Sequence, residues 1–458
     1  MKKKKIIALG LASCVLLSQP IYASSLIKEA PITLTVQREG VKNIGFKTKQ
    51  MYTQEEGFIL NIRIPVIQGL KDIKFQEKLN EKIEKEMMKD KKNMEQDVKK
   101  HLHQAKKEGV EVIPYEMYVD YDIKSNGDIL SFTITTATSF GNNWMERVDS
   151  YNIDCKQNKL LDLKDLFKNG SDYKKIITDQ IQQEMKEQIQ SGKGNYFEEE
   201  IDFKNISAVQ SFYIQGNNIV ITFPKYSIAP GSMGTPEFKI PFSLLKNVLK
   251  TDIEQGISVI EQTKYETTDY FIQEIRVPEI QGLTDLKFQE ELNKKMTAHL
   301  PELIKNLEQE SKEHMEEAKK EKLVTYPYGI YVDYDIKSMG DILSFTVTTF
   351  EATGGTGAPR VDYYNIDTKT NKELRLDDLL INHKEAKKVI NTEIEKQIKE
   401  QIETDTGMYF EGEDGFRGID DNQDFYIQGD YLVICFPKYS IAPGYMGTPE
   451  FKIPFSFR

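Results

Sequence analysis

The sequence has few of the residues that usually build catalytic or disulfide-bonded sites: 3 cysteines, 5 histidines and 1 tryptophan in 458 residues. Cys155 and Cys435 have threonine counterparts in an internal repeat, so no disulfide bond between them is expected. HExxH, GxSxG and CxxC motifs are absent, which argues against common metalloprotease, hydrolase and redox chemistry. His101 and His103 lie two residues apart on a predicted helix, where they cannot share a metal ion. We therefore expect no cofactor and no metal, and we predict that the protein is not an enzyme.

Long apolar runs are scarce as well, and the one that stands out is at the N-terminus. Ile6–Leu17 follows the lysines Lys2–Lys5, which predicts a secretory signal peptide cleaved after Ala23. The alternative is lipid attachment at Cys14, because the residues before it resemble a lipobox. Apolar residues after Cys14 favour simple cleavage. No other run reaches ~18 apolar residues, so no transmembrane helix is expected after signal cleavage, and the location is predicted to be extracellular or at the cell surface.

The chain contains a long internal duplication. Tyr118–Thr136 reads YVDYDIKSNGDILSFTITT, and Tyr331–Thr349 reads YVDYDIKSMGDILSFTVTT. Phe212–Ser243 recurs in the same way at Phe425–Ser456. A period this long indicates two copies of a whole domain. We predict a signal peptide at 1–23, a lead-in segment at 24–41, module 1 at 42–247, a linker at 248–257 and module 2 at 258–458.

Both copies show the same pattern of helices and strands. Apolar residues spaced by four or seven positions across Phe75–Leu102 predict a long amphipathic helix, and Pro301 is expected to break or kink its counterpart. Alternation from Tyr118 onward predicts a hairpin that turns at Gly127, and a shorter amphipathic helix follows. The predicted fold class is α+β: two tandem homologous modules, each an antiparallel sheet with one long and one shorter amphipathic helix packed on it.

Carboxylate pairs are the remaining candidates for catalysis. Asp120 and Asp122 lie on one face of a predicted strand about 7 Å apart, a separation that suits acid–base chemistry on a glycan. Lys124 beside them favours the alternative, in which the aspartates are ordinary charged residues on a solvent-facing strand.

Several repeated phrases resemble a bacterial family of domains of unknown function. The phrases are YNIDTKTNKELRLDDLL, the GDILSF hairpin, GGTG and FYIQGDYLVICFPKYSIAPGYMGTPEFKIPF. They are similar to the extracellular domain of anti-sigma-V factors and to the non-catalytic domain that precedes the catalytic domain of a cell-wall polysaccharide deacetylase. The best understood member of this family is a surface receptor that binds lysozyme, so the resemblance implies a protein-binding or wall-associated role. This chain is expected to lack the receptor's anti-sigma segment and transmembrane helix and the deacetylase's catalytic domain.

The loop that closes each copy is the main candidate binding site. A proline and two glycines are expected to stiffen it, which limits the entropy lost on binding. The candidate residues are Pro443, Gly444, Tyr445 and Met446 in module 2, and Pro230, Gly231, Ser232 and Met233 in module 1. Tyr445 suits an interface anchor, so module 2 is predicted to be the stronger binder. The alternative is that the loop is a structural turn with Tyr445 partly packed on the surface.

A second candidate loop precedes the third strand of each predicted hairpin. In module 1 it carries Trp144, which suits stacking on a sugar ring or insertion into a partner, or else covers the protein's own core. In module 2 it carries Gly354, Gly355, Thr356 and Gly357, a run that allows close approach to a ligand backbone. Without a strand-to-helix setting this run does not predict a phosphate loop.

The charge of the chain bears on its partners. The formal net charge is −11 at pH 7, which disfavours nucleic acid and favours a cationic partner, although solubility explains a negative charge equally well. The leading hypothesis is a secreted or cell-surface non-catalytic protein that captures lysozyme or another cationic cell-wall hydrolase. The alternatives are a peptidoglycan-binding accessory protein and an unrecognised cell-wall enzyme.

Overall fold

The computed structural model describes residues 34–36, 43–110, 112–140, 143–197, 206–207, 209–250, 256–353 and 359–457. The predicted signal peptide and Gly354, Gly355, Thr356 and Gly357 lie outside these residues. Within them the strands are β1 Leu34–Val36, β2 Asn43–Glu55, β3 Phe58–Gln68, β4 Tyr115–Asn126, β5 Ile129–Phe140, β6 Asn143–Asp154, β7 Lys159–Leu160, β8 Phe212–Gln215, β9 Asn218–Thr222, β10 Glu237–Pro241, β11 Ile257–Thr267, β12 Phe271–Gln281, β13 Tyr328–Gly340, β14 Ile342–Ala352, β15 Arg360–Asp367, β16 Lys372–Glu373, β17 Phe425–Gln428, β18 Tyr431–Cys435 and β19 Glu450–Phe457. The helices are α1 Ile73–Glu108, α2 Tyr173–Gln190, α3 Phe242–Leu245, α4 Leu286–Thr297, α5 Leu300–Glu321, α6 Leu376–Leu379 and α7 His383–Glu403.

The chain divides into two compact units. The first-copy unit is Phe46–Ile260, and the second-copy unit is Glu261–Arg458 together with the N-terminal segment up to Gly45. The boundaries predicted from the repeat, 42–247 and 258–458, describe the duplicated sequence and stay a prediction.

The larger sheet of the first-copy unit has the strand order β2-β3-β4-β5-β6-β7. The predicted hairpin is confirmed, since β4 and β5 pair antiparallel on either side of Gly127 and β6 follows antiparallel to β5. However, β3 and β4 are parallel, with Phe58–Ile62 beside Tyr115–Val119, and β12 and β13 repeat this in the second-copy unit. The prediction of a wholly antiparallel sheet was wrong here, because α1 carries the chain back to the end where β3 began, as a crossover helix does.

The long helix packs on this sheet with its predicted apolar stripe. Leu79, Ile83, Met87 and Val98 are buried along α1, which contacts β3 and β4. In the second-copy unit the helix is interrupted: α4 ends at Thr297 and α5 begins at Leu300, with proline in its first turn. The predicted break at Pro301 is therefore confirmed; proline cannot donate the backbone hydrogen bond that a continuous helix needs.

Each unit also contains a second, smaller sheet that the prediction of one sheet per module missed. In the first-copy unit β8, β9 and β10 form it, and α2 packs on it through a core that includes Ile177, Ile181, Ile219 and Phe238. In the second-copy unit β17, β18 and β19 do the same with α7, and β1 adds parallel to β19.

Buried polar side chains fix the small sheet to the large one. In the first-copy unit Asn152 Nδ2 donates to the Phe212 carbonyl oxygen at 2.7 Å, and Ser131 Oγ donates to Asn152 Oδ1 at 2.6 Å. The Ser131 hydroxyl also accepts from the backbone N–H of Ile214 at 3.1 Å. These bonds hold the small sheet over one part of the face that α1 does not cover, and Tyr118 on the rest of that face is partly exposed.

Two short strand segments join the unit of the opposite copy. Asn43–Gly45 pairs with Ser338–Gly340 inside the second-copy unit, and Ile257–Ser258 pairs with the end of β4 inside the first-copy unit. Gly45 lies so close to the backbone of Gly429 that no Cβ atom fits, which explains a glycine at this position.

Candidate functional site

The two closing loops share one geometry. Tyr226 and Tyr439 stand in them with φ of 68° and 72°, a left-handed conformation that is uncommon for a bulky residue. The ring of each tyrosine lies against a glycine of its own loop, Gly231 or Gly444, and leaves no room for a Cβ atom. A side chain at either position would have to displace the tyrosine ring.

The turn after each tyrosine is closed by its own backbone. Met446 N donates to the Pro443 carbonyl oxygen at 2.9 Å, which closes the single helical turn Gly444–Met446. Met233 N donates to the Pro230 carbonyl oxygen at 2.9 Å in the same way. Each loop is thus an ordered turn closed by a backbone hydrogen bond, as its proline and glycines predict.

The base of the module 2 loop is anchored and its tip is not. Ile441 and Ala442 are buried, and the Ile441 carbonyl oxygen accepts from Phe410 N at 2.9 Å. Tyr445 at the tip is 63% exposed, and Ser232 is exposed at the same place in module 1. The structure therefore displays Tyr445 on a fixed turn, and its role in binding stays a prediction.

Trp144 was predicted to lie in the second candidate loop, but it is the second residue of β6, where it pairs with Ser139 of β5. Trp144 is partly exposed and stacks with Tyr118, with ring centroids 5.9 Å apart and planes at 27°. Its carbonyl oxygen accepts from Lys225 Nζ at 2.9 Å, and Lys225 Nζ lies 5.4 Å from the ring centroid of Tyr226. The structure thus brings Trp144 and the closing loop of the first copy together, which the sequence suggests as separate sites. Gly354–Gly357, the corresponding run in module 2, lies outside the described residues.

The strand aspartates are held in ion pairs. Asp120 Oδ2 lies 3.3 Å from Arg63 Nη1, and Asp122 Oδ2 lies 3.3 Å from Lys124 Nζ. The same arrangement recurs in the second copy, where Asp335 Oδ2 lies 2.8 Å from Lys337 Nζ and the counterpart of Asp120 faces an arginine. This geometry agrees with the interpretation of these residues as charged strand residues with lysine or arginine partners.

A buried polar cluster beneath the small sheet was not found from the sequence. In the second-copy unit Lys337 Nζ lies 4.8 Å from the ring centroid of Tyr426, whose hydroxyl donates to Glu450 Oε2 at 2.8 Å. Burial raises the pKa of Tyr426 and the pKa of Cys435, both well above their usual values. A buried thiol of raised pKa is a poor nucleophile, so this cluster serves packing. Its sequence signal is the repetition of the lysine, tyrosine and glutamate in both copies.

The remaining polar candidates give no metal centre in the described ranges. Within them no three His, Cys, Asp or Glu residues lie close enough together to hold a metal ion. His101 packs edge-on against Tyr115, and His314 stacks on Tyr328.

None of the helices in the described part of the chain is long and apolar enough to cross a membrane. Cys155 and Cys435 are both free thiols.

Two known protein families match each copy of the repeat. Residues 52–141 and 264–357 match the family described as Deacetylase PdaC, and residues 164–243 and 377–456 match the family described as Protein of unknown function (DUF3298). Each family model matches twice, and the two families follow in the same order in each copy of the repeat. The resemblance seen in the sequence motifs is thereby confirmed.

The chain is also similar to individual proteins. The chain is 28% identical over 258 residues to the anti-sigma-V factor RsiV of Bacillus subtilis, which covers 54% of this chain and 86% of that protein. A crystal structure of a DUF3298 family member from Bacteroides fragilis is similar with a TM-score of 0.37 and 18% identity, over 46% of this chain and 96% of that one. A second, from Pseudomonas aeruginosa, has a TM-score of 0.32 and 15% identity, with the same coverage of both chains.

Proposed function

We propose that this protein is an extracellular, non-catalytic binding protein that captures a cationic protein, lysozyme or another cell-wall hydrolase, through the closing loop of its second copy. The observation that carries the proposal is the tip of that loop. Tyr445 is 63% exposed on a turn that is closed by its own backbone hydrogen bond. The ring of Tyr439 lies against Gly444, the first residue of that turn.

The loop geometry favours binding in two ways. A turn that is fixed before the partner arrives loses little conformational entropy on association. A tyrosine at the centre of an interface supplies a large contact area and a hydroxyl, and such residues often contribute about 2 kcal/mol or more. Ser232 replaces Tyr445 in the first copy, so the two loops should differ in affinity although their backbones are alike.

The charge of the chain supports a cationic partner. A net charge of −11 attracts a positively charged protein over long range and speeds the encounter, an effect that salt weakens. The identity to an anti-sigma-V factor, together with the receptor role that the sequence resemblance implies, points to lysozyme as the first partner to test.

Calorimetric titration of the purified protein with lysozyme at low and moderate salt tests the proposal. We expect binding that weakens with salt, and an affinity at least about 30-fold lower in Tyr445→Ala. Ser232→Ala, at the matching position, should bind like the parent protein. Ser232→Tyr should strengthen binding by the first copy and raise the stoichiometry toward two.

Two results would count against the proposal. Absence of heat at both salt concentrations would exclude lysozyme as the partner, and an unchanged affinity in Tyr445→Ala would exclude the loop. The non-catalytic part has its own assay, in which purified peptidoglycan is incubated with the protein and the soluble fragments are analysed. New fragments in that assay would identify an enzyme.

A further inference from the structure

The large sheet of the first-copy unit has an accessible area beside its small sheet. Register places Asn61, Tyr118, Ala137 and Glu146 in one row across β3, β4, β5 and β6, and Trp144 lies two residues before Glu146 on the same face of β6. These five residues define the open face. All except Asn61 are partly exposed.

Two aromatic rings form the floor of the open face. Tyr118 and Trp144 belong to strands on either side of β5, and their rings meet with centroids 5.9 Å apart at 27°. The residues of β5 between them are the small Ala137 and Ser139. Small side chains there leave room for the two rings to stack on each other, and the parts of both rings that stay exposed give an aromatic surface of the kind on which a sugar ring stacks.

A buried acceptor lies at one end of this floor. Asn61 is only 5% exposed, and its Oδ1 atom has no hydrogen-bond partner in the described part of the chain. Asn61 is the direct neighbour of Tyr118 in the parallel pair. A buried acceptor without a donor is destabilising, so a ligand that brings an O–H or N–H group to this position would gain a hydrogen bond.

The charged groups around the floor already have partners. Asp120 is paired with Arg63 at 3.3 Å, Glu116 accepts from a serine hydroxyl at 3.3 Å, and Glu146 accepts from Thr235 Oγ1 at 2.9 Å. Arg63 balances the charge of Asp120, and the other two carboxylates each accept a hydrogen bond from a hydroxyl group. The open face offers an aromatic floor with hydrogen-bond donors and acceptors at its edge, which suits a neutral ligand with many hydroxyl groups.

We propose that the open face of the first-copy unit binds a pyranose ring of an N-acetylated glycan. One face of the sugar lies on Tyr118 and Trp144, and its hydroxyl and acetamido groups bond to Asn61 and the Arg63–Asp120 pair. This site is separate from the closing loop of the second copy and does not depend on the protein partner proposed above.

The second copy lacks the features of this site. Glu274, Phe350 and Gly357 stand at the positions of Asn61, Ala137 and Trp144. A charged group replaces the amide, a bulky ring replaces the small residue of β5, and the tryptophan is absent. Only the first copy is therefore expected to bind the sugar, and the second copy supplies matched controls.

The single tryptophan of the chain makes the site directly observable. Because Trp144 is the only tryptophan, its fluorescence reports on the open face of the full-length protein. We expect the emission to change saturably on titration with the tetramer of N-acetylglucosamine. Tyr118→Ala should weaken binding about ten-fold, Asn61→Leu should weaken it as well, and Tyr331→Ala, the matching change in the second copy, should leave it unchanged.

Three outcomes would overturn the proposal. The first is neither a fluorescence change nor calorimetric heat with the tetramer at millimolar concentration. The second is an equal loss in Tyr331→Ala and Tyr118→Ala, since the binding would then not be specific to the open face. The third is that a tetralysine peptide, and not the sugar, gives the saturable change, which would assign the face to a cationic protein partner. Lysozyme titration of Tyr445→Ala remains a separate measurement, so either proposal can fail alone.

Discussion

The bonds that fix the small sheet to the large sheet should carry a large share of the stability of each unit. Asn152 is 3% exposed and joins the two sheets, with its Nδ2 donating to the Phe212 carbonyl oxygen and its Oδ1 accepting from Ser131 Oγ. Leucine has a similar size and can do neither. In Asn152→Leu the Phe212 carbonyl oxygen stays buried without its donor, and the Ser131 hydroxyl loses its acceptor.

The expected cost follows from these two lost bonds. An unsatisfied buried group costs about 1–3 kcal/mol, and the buried hydroxyl costs about 1 kcal/mol more. The apolar area that leucine adds recovers part of this. We expect the free energy of unfolding to fall by roughly 2–4 kcal/mol. Ser131→Ala should cost a similar amount, since alanine leaves both the Ile214 N–H and Asn152 Oδ1 buried without a partner.

Urea denaturation followed by tryptophan fluorescence measures this directly, because Trp144 lies in the same unit. Ser131→Ala and Asn152→Leu each remove the hydrogen bond between these two residues. The loss of unfolding free energy in the double variant should therefore be smaller than the sum of the losses in the two single variants, by about 0.5 kcal/mol or more. Strict additivity, or a loss below about 1 kcal/mol in Asn152→Leu, would refute the reasoning that this polar bridge holds the sheets together.

Two further predictions concern the loop and the charge pattern. Gly444→Ala should displace the Tyr439 ring, reduce stability by about 1–3 kcal/mol as overpacking does, and weaken lysozyme binding as Tyr445→Ala does; Gly231→Ala should leave binding by the second copy intact in the same titration. Burial raises the pKa of Glu274, so its folded form binds a proton more tightly than its unfolded form and its ionised state opposes folding as pH rises above about 4.5. Glu274→Gln should therefore raise the melting temperature at pH 7 and lose that gain near pH 4, and an equal gain at both pH values would contradict the role of ionisation.

Much of the local structure could be predicted because it depends on local patterns. The stripe through Leu79 and Ile83, the turn at Gly127 and the interruption at Pro301 all follow from periodicity or from the properties of one residue. The parallel pairing of β3 with β4 did not follow, although the order of strand, long helix and strand is the usual sign of a crossover. The period-two pattern of β4 predicts its antiparallel partner in the hairpin, but it does not identify the strand that pairs on its other side.

The pairing of Asn43–Gly45 inside the second-copy unit could not be predicted from this sequence. Its counterpart Ile257–Ser258 pairs inside the first-copy unit, and the strands that receive the two segments are almost identical. Where two partners present the same hydrogen-bonding edge, pattern gives no preference between them, and the choice depends on the three-dimensional path of the chain. The same limit applies to the open face, since Trp144 and Tyr118 approach each other only once the register across β5 is fixed.

The two copies differ at surface positions of the proposed binding sites and are identical at interior positions that bond the two sheets together. Positions that bond the sheets together are unchanged, as Ser131 and Asn152 recur at Ser344 and Asn365 with the same contacts. Positions in the two proposed sites differ between the copies. Ser232 is the counterpart of Tyr445, and Gly357 is the counterpart of Trp144. Substitution of an interior bonding residue removes stability, whereas substitution on these surfaces costs little folding energy. A duplicated chain can therefore hold one scaffold constant and give each copy a separate ligand, and the paired variants Tyr445→Ala and Tyr118→Ala should each weaken one binding activity and leave the other intact.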